Sequence, residues 1–264
     1  MSDIQFETRE DGIRLAFREG GGEDHARCGF FWLGGFKSDM SGSKAEAIAG
    51  LANATMRPCL RFDYSGHGQS DGLFTDGTIS AWLDEARHFF EKSGPGRRIV
   101  IGSSMGGWLA LLLLRRLMIE DAAQARRIAG LVLVAPAADM TADLMWDGFS
   151  PRIRAELAET GLHLRPSLYG EPYPITMALI DDGRRHLMLH KGLDCPCPLR
   201  ILQGDADPDV PATHAVRLFE ILRGEDITLT LIKGGDHRLS QPAQLALMCD
   251  TALRLAEQAD EISA

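Results

Sequence analysis

Residues 97–114 read RRIVIGSSMGGWLALLLL: an apolar run, a short segment of serines and glycines, and a leucine-rich run. The first run is typical of a buried strand, and the second predicts a helix over 107–119. Between them, Gly102-Ser103-Ser104-Met105-Gly106 fits G-x-S-x-G, in which a serine stands on a strained turn from strand to helix. Such a turn needs small residues two positions to either side, because side chains there would collide across the bend. This spacing selects Ser104, not Ser103, as the candidate nucleophile.

Apolar strands alternate with amphipathic helices on both sides of this turn, which predicts a parallel sheet covered on both faces. A less regular stretch, residues 139–194, contains four prolines among short helical segments. We interpret it as a lid inserted over the C-terminal edge of the sheet, where open α/β sheets bind ligands. The predicted organisation is therefore a core of residues 1–138 and 195–264 with a lid of residues 139–194. The predicted strands are 13–17, 28–33, 58–62, 97–102, 128–136, 198–204 and 226–234, and the other predicted helices are 43–54, 78–93, 211–223 and 242–258.

Composition narrows the function classes. The 264 residues are 45% hydrophobic and 25% charged, as in ordinary soluble globular proteins. A formal net charge of −9 disfavours nucleic acid or an anionic membrane surface as the main partner. The N-terminal MSDIQFETREDG lacks the apolar core of a secretory signal, and the most apolar run, 108–114, is too short to span a bilayer. We expect a cytoplasmic protein with no stable membrane anchor, and the sequence carries no signal for its oligomeric state.

Cysteines and aspartates suggest metal sites only superficially. The five cysteines are an odd, scattered set, which argues against a disulfide framework. Cys195-Pro-Cys197 is not a CxxC pair, and no second ligand pair with zinc-like spacing occurs elsewhere. The three aspartates at alternate positions from residue 205 imitate a calcium loop, yet Val210 and Val216 stand where that loop needs Gly and Glu. We expect neither a metal nor an organic cofactor.

Two later segments supply partners for the serine. ILQGDADPDVP (201–211) puts aspartates after one predicted strand, and GGDHRLS (234–240) puts His237 after the next. A serine hydroxyl needs a base to take its proton, and the base needs an acid to fix its tautomer. We assign Ser104 as nucleophile, His237 as base and Asp207 as orienting acid. Asp139, at the end of the preceding strand, is the rival acid, and His67 is either a loop-shaping residue or a second base.

These motifs resemble the α/β-hydrolase superfamily over nearly the whole chain. They are RFDYSGHGQSDG (61–72), GSSMGGW (102–108) and GDADPDVP (204–211), the last matching G-x-x-D-x-x-V-P, whose Asp is the family's catalytic acid and falls on Asp207. With GGFKSDMSGSKA (34–45) and GDHRLS (235–240), the combination is similar to mitochondrial acyl-protein thioesterases that also hydrolyse acyl glucuronides, and to their bacterial relatives. The resemblance implies a mostly parallel, doubly wound sheet with a small helical lid.

The same resemblance implies a function. We expect hydrolysis of the carboxylic ester or thioester bond of a small-molecule or acyl-chain substrate through a Ser-His-Asp triad and an acyl-enzyme. Carbon–carbon bond hydrolysis or amide and peptide hydrolysis with the same triad is the alternative, because one fold hosts many chemistries. A non-catalytic binding protein would predict a broken triad, whereas all three residue types are present here.

An oxyanion hole and a substrate pocket complete the prediction. The backbone N–H of Met105 follows the nucleophile, and the second donor is expected in Gly34-Gly35-Phe36, where we assign it to the N–H of Phe36. The family pattern there is His-Gly, whereas this chain has Gly34 in place of the His. Gly35, Trp146 and Phe149 are the predicted substrate-binding residues. Apolar residues of the lid segment would wall an acyl pocket or simply cover the sheet: Leu144, Met145, Trp146, Phe149, Leu162, Leu164, Leu168 and Tyr169. A basic cluster in the same segment is either a solvated helix face or a receiver for an acidic group: Arg184, Arg185, His186, His190 and Lys191.

Overall fold

A computed structural model describes residues 3–167 and 170–263. Its strands are β1 Gln5–Thr8, β2 Arg14–Gly20, β3 Gly29–Leu33, β4 Cys59–Phe62, β5 Arg98–Ser103, β6 Ile128–Val134, β7 Leu162–Ser167, β8 Gly170–Thr176, β9 Leu193–Asp194, β10 Leu199–Gly204, β11 Leu222–Arg223 and β12 Ile227–Ile232. Its helices are α1 Ser43–Thr55, α2 Ile79–Lys92, α3 Met105–Glu120, α4 Ala122–Ala125, α5 Pro151–Thr160, α6 Met177–Arg184, α7 Ala212–Ile221 and α8 Pro242–Ser263.

Eight strands form one sheet in the order β1-β2-β4-β3-β5-β6-β10-β12. The six strands from β4 to β12 pair in parallel, and only β1 and β2 at one edge are antiparallel. The chain is therefore an α/β fold with a mostly parallel, doubly wound sheet, as the sequence predicts. The hydrophobic pattern does not predict β1, whose short sequence QFET leaves three side chains exposed and one half-buried on the edge.

Both faces of the central strands are buried, and this explains their unbroken apolar runs. Successive strand residues point to opposite faces. Phe31 and Val100 therefore pack into the core beneath α2 and α3, whereas Phe30 and Ile99 pack into the core beneath α1 and α8. Because these strands run in parallel, the carboxyl ends of β3, β5, β10 and β12 lie along one edge of the sheet.

The segment 139–194, which we call the insertion, joins β6 to its parallel neighbour β10. It holds a π-helical segment, Met140–Trp146, followed by α5, the antiparallel pair β7 and β8, and α6. The hairpin of β7 and β8 is an addition to the expected helical segments. The insertion is tied to the core by Ser80, whose N–H and hydroxyl both donate to the Asp182 carboxylate at 2.7 Å.

Within the described residues, no helix combines the length and apolar character that crossing a membrane requires.

Candidate active site

Ser104 stands on a tight turn between β5 and α3. Its φ of 53° and ψ of −117° lie in a region that non-glycine residues rarely adopt. A Cβ on Gly102 would lie 2.3 Å from the Gly106 carbonyl oxygen, and one on Gly106 would lie 2.1 Å from that of Leu33. Backbone contacts of this kind cannot be relieved by moving a side chain. Gly102 is therefore required by packing across the bend, as the sequence suggests, whereas Gly106 is required by the approach of the turn to the end of β3.

His237 and Asp207 reach Ser104 from the ends of two other strands. His237 follows β12, and Asp207 follows β10. The Ser104 hydroxyl lies 3.0 Å from His237 Nε2, and His237 Nδ1 lies 2.8 Å from Asp207 Oδ2. The three side chains thus form one continuous hydrogen-bonded chain, although 133 positions separate Ser104 from His237. Distances of this size allow a proton to pass from the serine to the imidazole.

Asp207 is held as an ionised acceptor. Its Oδ1 accepts the backbone N–H groups of Asp209 and Val210, both at 2.9 Å. Burial by itself raises the pKa of this carboxyl, but the hydrogen bond and charge of His237 and these N–H donors outweigh it, so the pKa lies below its usual value. A carboxylate in this state keeps the Nδ1 proton on the histidine and leaves Nε2 free to act as an acceptor.

Gln203 also contacts Asp207, and sequence reasoning missed it. Its Nε2 donates to Asp207 Oδ2 at 3.0 Å and to the Val210 carbonyl at 2.9 Å. The side chain is fully buried in β10, whose sequence is LRILQG. A glutamine at the end of an otherwise apolar strand, directly before an aspartate-rich turn, is the signal that would have indicated it.

The predicted oxyanion donors belong to two segments that adjoin Ser104. A Cβ on Gly35 would lie 3.4 Å from the Ser104 Cβ, so the backbone that carries Gly35 and Phe36 packs directly against the serine. Met105 begins α3, where the helix dipole favours a negative charge. In the described part of the chain, neither the Phe36 N–H nor the Met105 N–H donates to another residue. Both donors are therefore free for a ligand oxygen.

The rival acid, Asp139, has a different task. It is fully buried, and its carboxylate accepts the N–H groups of Met188 and Leu189 at 2.9 to 3.0 Å. Burial raises its pKa despite these two donors. Asp139 thus ties the last part of the insertion to the end of β6, and its oxygens have no contact with His237.

His67 and the basic cluster also lie outside the hydrogen-bonded chain. His67 Nδ1 lies 3.1 Å from the Ser65 carbonyl and its Nε2 accepts the Lys37 N–H at 3.1 Å, which supports the loop-shaping interpretation. Within the cluster, Arg184 at the end of α6 pairs with Asp181, and Arg185, which directly follows α6, pairs with Asp182. These pairs favour the interpretation of the cluster as a solvated helix face.

A cavity of about 760 Å³ opens above Ser104 and His237. Gly35 and Phe36 line it on the core side. The insertion closes the other side with Met140, Leu144, Met145, Arg165, Pro166 and Tyr173. Volumes of this size accommodate small-molecule ligands. We call it the Ser104 cavity.

Trp146 and Phe149 do not line this cavity, contrary to the sequence-based prediction. The Trp146 ring instead packs beneath the guanidinium groups of Arg154 and Arg184 at 5.2 and 4.7 Å. Phe149 is buried against the ring of His163 at 5.8 Å. Of the other apolar candidates in the insertion, Leu144 and Met145 line the cavity, whereas Leu162 and Leu164 are exposed on β7 and do not line it. Leu168 and Tyr169 lie outside the described residues.

Cysteine and metal chemistry add nothing to this site. All five cysteines are free thiols, and burial raises the pKa of Cys195 to about 12 and that of Cys197 to about 11. Among the described residues, one group of three ligand atoms lies within 4.8 Å, from Asp207, Asp209 and His237. Both oxygens of Asp207 and both nitrogens of His237 already have protein partners. We therefore interpret this group as part of the hydrogen-bonded chain.

Comparison with known proteins decides the family. The model of the alpha/beta hydrolase family matches residues 28–246, which include Ser104, Asp207 and His237. The chain is an α/β hydrolase. This hydrolase is 30% identical over 254 residues to the human mitochondrial palmitoyl-protein thioesterase ABHD10, a match that covers 95% of this chain and 79% of the relative. The orangutan (Pongo abelii) protein of the same name is 31% identical over 254 residues, with the same coverage.

Solved structures agree with this assignment. A crystal structure of a protein from Agrobacterium vitis S4 matches the hydrolase with a TM-score of 0.91 and 41% identity, covering 97% of this chain and 98% of that one. The mouse alpha/beta hydrolase domain-containing protein 10 matches with a TM-score of 0.85 and 27% identity, covering 97% and 99% of the two chains. With relatives named as thioesterases and this fold, the chain is an enzyme that hydrolyses its substrate.

Proposed function

We propose that this α/β hydrolase is a serine esterase or thioesterase that cleaves carboxylic ester or thioester bonds through a Ser104-His237-Asp207 triad. The observation that carries the proposal is the continuous chain of hydrogen bonds, 3.0 Å from Ser104 to His237 and 2.8 Å from His237 to Asp207. These three side chains lie at the floor of the Ser104 cavity, whose volume of about 760 Å³ has room for an acyl group.

The first half of the reaction forms an acyl-enzyme. His237 Nε2 takes the proton of the Ser104 hydroxyl while the serine oxygen attacks the carbonyl carbon. The N–H groups of Phe36 and Met105 donate to the carbonyl oxygen as it becomes negative. Because this charge is larger in the transition state than in the bound substrate, the two hydrogen bonds lower the activation barrier. The imidazolium then gives its proton to the departing alcohol or thiol, and Asp207 stabilises the imidazolium throughout.

The second half repeats these steps with water. His237 takes a proton from the water, the resulting oxygen attacks the acyl carbon, and the tetrahedral intermediate occupies the same two N–H donors. Its collapse returns the proton to Ser104 and releases a carboxylic acid. The chain's own residues supply every proton transfer in both halves.

The substrate class is supported from two sides. The relatives bear the name palmitoyl-protein thioesterase, which denotes removal of an acyl chain from a thiol. The insertion contributes Met140, Leu144 and Met145 to the Ser104 cavity, an apolar wall that suits such a chain. We therefore propose acyl thioesters and carboxylic esters as substrates, with the insertion as a lid that contacts the acyl chain.

The test is a set of initial rates on p-nitrophenyl esters and acyl thioesters from short to long chains. Ser104→Ala should lower kcat by at least about 10³-fold, since the triad residues act as one unit. The matched control is Ser103→Ala, which removes the neighbouring hydroxyl from the same cavity and should keep most of the rate. Labelling by a fluorophosphonate should occur in the wild type and in the control, but not in Ser104→Ala.

Two results would count against the proposal. Turnover by Ser104→Ala close to that of the wild type would exclude the serine as nucleophile. Labelling of Ser104 without turnover of any ester or thioester would keep the nucleophile and redirect the search to amide and carbon–carbon substrates.

A further inference from the structure

The backbone that carries the Phe36 N–H is anchored by a second loop, residues 63–72. His67 accepts the N–H of Lys37, the residue directly after Phe36, at an Nε2–N distance of 3.1 Å. Asp63 accepts the N–H of Met40 through Oδ1 at 2.6 Å. We call residues 34–40 the oxyanion loop. Two side chains of the 63–72 loop thus hold it at two backbone donors that lie three residues apart.

The His67 ring is fixed in one orientation and one tautomer. Because the Lys37 N–H is a donor, Nε2 must be the unprotonated nitrogen, and the proton on Nδ1 then donates to the Ser65 carbonyl at 3.1 Å. The rings of Trp82 and Phe74 pack edge-on against the imidazole with centroids 5.1 and 5.0 Å away. Only 4% of His67 is exposed, and burial lowers its pKa to about 4. The ring therefore remains a neutral acceptor at physiological pH.

Lys37, whose N–H His67 accepts, has a backbone conformation that is unfavourable for a residue with a side chain. Lys37 has a φ of 57°, in the left-handed region that disfavours residues with a side chain. Such a residue persists only where its surroundings determine it. The Lys37 N–H bond to His67 and the Ser38 N–H bond to the Gly35 carbonyl at 3.1 Å close the turn on both sides of it.

Asp63 is as firmly held as His67. Its Oδ2 accepts the Gln69 N–H at 2.9 Å. A Cβ on Gly68, which has a φ of +48°, would lie 2.1 Å from this oxygen, so only glycine leaves the carboxylate room. The 63–72 loop is thus a rigid support, and the oxyanion loop is the part that it positions.

We propose that His67 is a positioning residue of the hydrolytic reaction: by accepting the Lys37 N–H it sets the direction of the preceding Phe36 N–H toward the oxyanion. Asp63 acts in the same way from the Met40 end of the loop. The inference rests on the proposed function, because it assigns a task to the oxyanion donor used there. Neither side chain belongs to the hydrogen-bonded chain of Ser104, His237 and Asp207.

A pair of substitutions at His67 separates positioning from packing. The amide oxygen of Gln reaches about as far as Nε2, so His67→Gln keeps an acceptor for the Lys37 N–H. The shorter His67→Asn reaches only the position of Nδ1 and loses that acceptor. We expect His67→Asn to lower kcat by about 10- to 100-fold with KM within about threefold, since one misdirected oxyanion donor costs less than a deleted one. His67→Gln should restore kcat to within a few-fold of the wild type.

Inhibitor binding tests the same point without turnover. A trifluoromethyl ketone forms a tetrahedral adduct with Ser104 and places an anionic oxygen in the oxyanion hole. Its Ki should weaken in His67→Asn by the factor by which kcat falls, whereas the Ki of the carboxylic acid product should be unchanged. Active-site titration and circular dichroism correct every rate for the folded fraction.

Distinct results overturn distinct statements. Equal kcat in the Asn and Gln variants, whether both are impaired or both are normal, would mean that the Lys37 acceptor does not matter and would overturn the positioning role. Should neither variant fold, the wild type decides: an N–N coupling across the hydrogen bond between the Lys37 amide and His67 Nε2 is expected by NMR, with and without the ketone, and its absence overturns the inference. Activity in Ser104→Ala would overturn the proposed function instead.

Discussion

Replacing Asp207 by Asn should abolish most of the activity while leaving the fold intact. The oxygen of the amide can keep the N–H groups of Asp209 and Val210, both 2.9 Å from Oδ1. The amide nitrogen then faces His237 Nδ1 and Gln203 Nε2, which both donate hydrogen bonds to Asp207 Oδ2 in the wild type, at 2.8 and 3.0 Å. Because an N–H group donates, Nδ1 must become the unprotonated nitrogen. The proton moves to Nε2, which can no longer accept the proton of Ser104.

The size of the effect follows from the same distance. At 2.8 Å and an effective dielectric constant of about 20, a carboxylate stabilises an imidazolium by about 6 kcal/mol. Each 1.4 kcal/mol is about a tenfold change in rate, so complete loss of this stabilisation is about 10⁴-fold. We expect kcat to fall by about 10³- to 10⁴-fold, since the oxyanion hole and substrate binding continue to contribute.

The assay compares kcat and kcat/KM for p-nitrophenyl esters in Asp207→Asn, Asp139→Asn and the wild type. Asp139→Asn disturbs a buried carboxylate that holds the Met188 and Leu189 N–H groups, so it should cost about 1 to 3 kcal/mol of stability. Its kcat per folded molecule should be nearly unchanged. A kcat within tenfold of the wild type in Asp207→Asn, or loss of turnover in folded Asp139→Asn, would refute the assignment of the acid.

Three further outcomes are expected. Gly106→Ala would put a Cβ 2.1 Å from a backbone oxygen and should destabilise the protein by roughly 3 kcal/mol with loss of activity. Gly50→Ala adds a Cβ with nothing within 4 Å on the exposed face of α1, so it should stabilise the protein by about 0.5 to 1 kcal/mol. Urea unfolding measures both changes, and equal effects of the two substitutions would contradict the packing account. Burial lowers the pKa of His67 from 6.5 to about 4 in the folded protein, so as the pH falls the unfolded chain takes up a proton before the folded protein does. The contribution of His67 to the free energy of unfolding is therefore highest above about pH 6.5 and decreases by up to about 3 kcal/mol as the pH falls toward 4. The difference in the free energy of unfolding between pH 7.5 and pH 4.5 should be correspondingly smaller in His67→Gln than in the wild type. Leu144→Trp should lower kcat/KM at least about tenfold for the longest acyl ester but less than threefold for the acetyl ester. Trp146→Ala should leave the ratio of these two kcat/KM values unchanged, because Trp146 does not line the cavity. A change of this ratio in the Trp146 variant alone would place the acyl site elsewhere.

The layered core could be predicted from the sequence because its signals are local. Apolar strands, amphipathic helices and the glycines around Ser104 each follow from a few neighbouring residues, and the structure confirms the mostly parallel sheet. The signals for Ser104, Asp207 and His237 are local as well, because each is recognised from the strand end that directly precedes it. Each follows a strand whose carboxyl end lies on one edge of the sheet, so the fold brings the three together without further information.

The insertion could not be predicted to the same depth, because its contacts are long-range. Apolar character alone made Leu144, Met145, Trp146 and Phe149 candidate pocket residues, but only Leu144 and Met145, both within the π-helical segment, line the cavity. The hairpin of β7 and β8 carries Tyr173 to the cavity from about 70 residues beyond Ser104, a contact that no local pattern encodes.

The sequence by itself therefore determined the fold family and predicted Ser104 as nucleophile and His237 as base, since these depend on strand ends and on glycines that no other residue can replace. Only the tertiary structure decided whether Asp207 or Asp139 is the hydrogen-bond partner of His237. It also decided whether His67 joins the hydrogen-bonded side chains as a second base or supports a neighbouring loop. Both decisions depend on which polar atom faces which at about 3 Å. Hydrogen bonds at that distance are set by the packing of whole loops against one another, whereas hydrophobic periodicity only says which side of a strand or helix is buried.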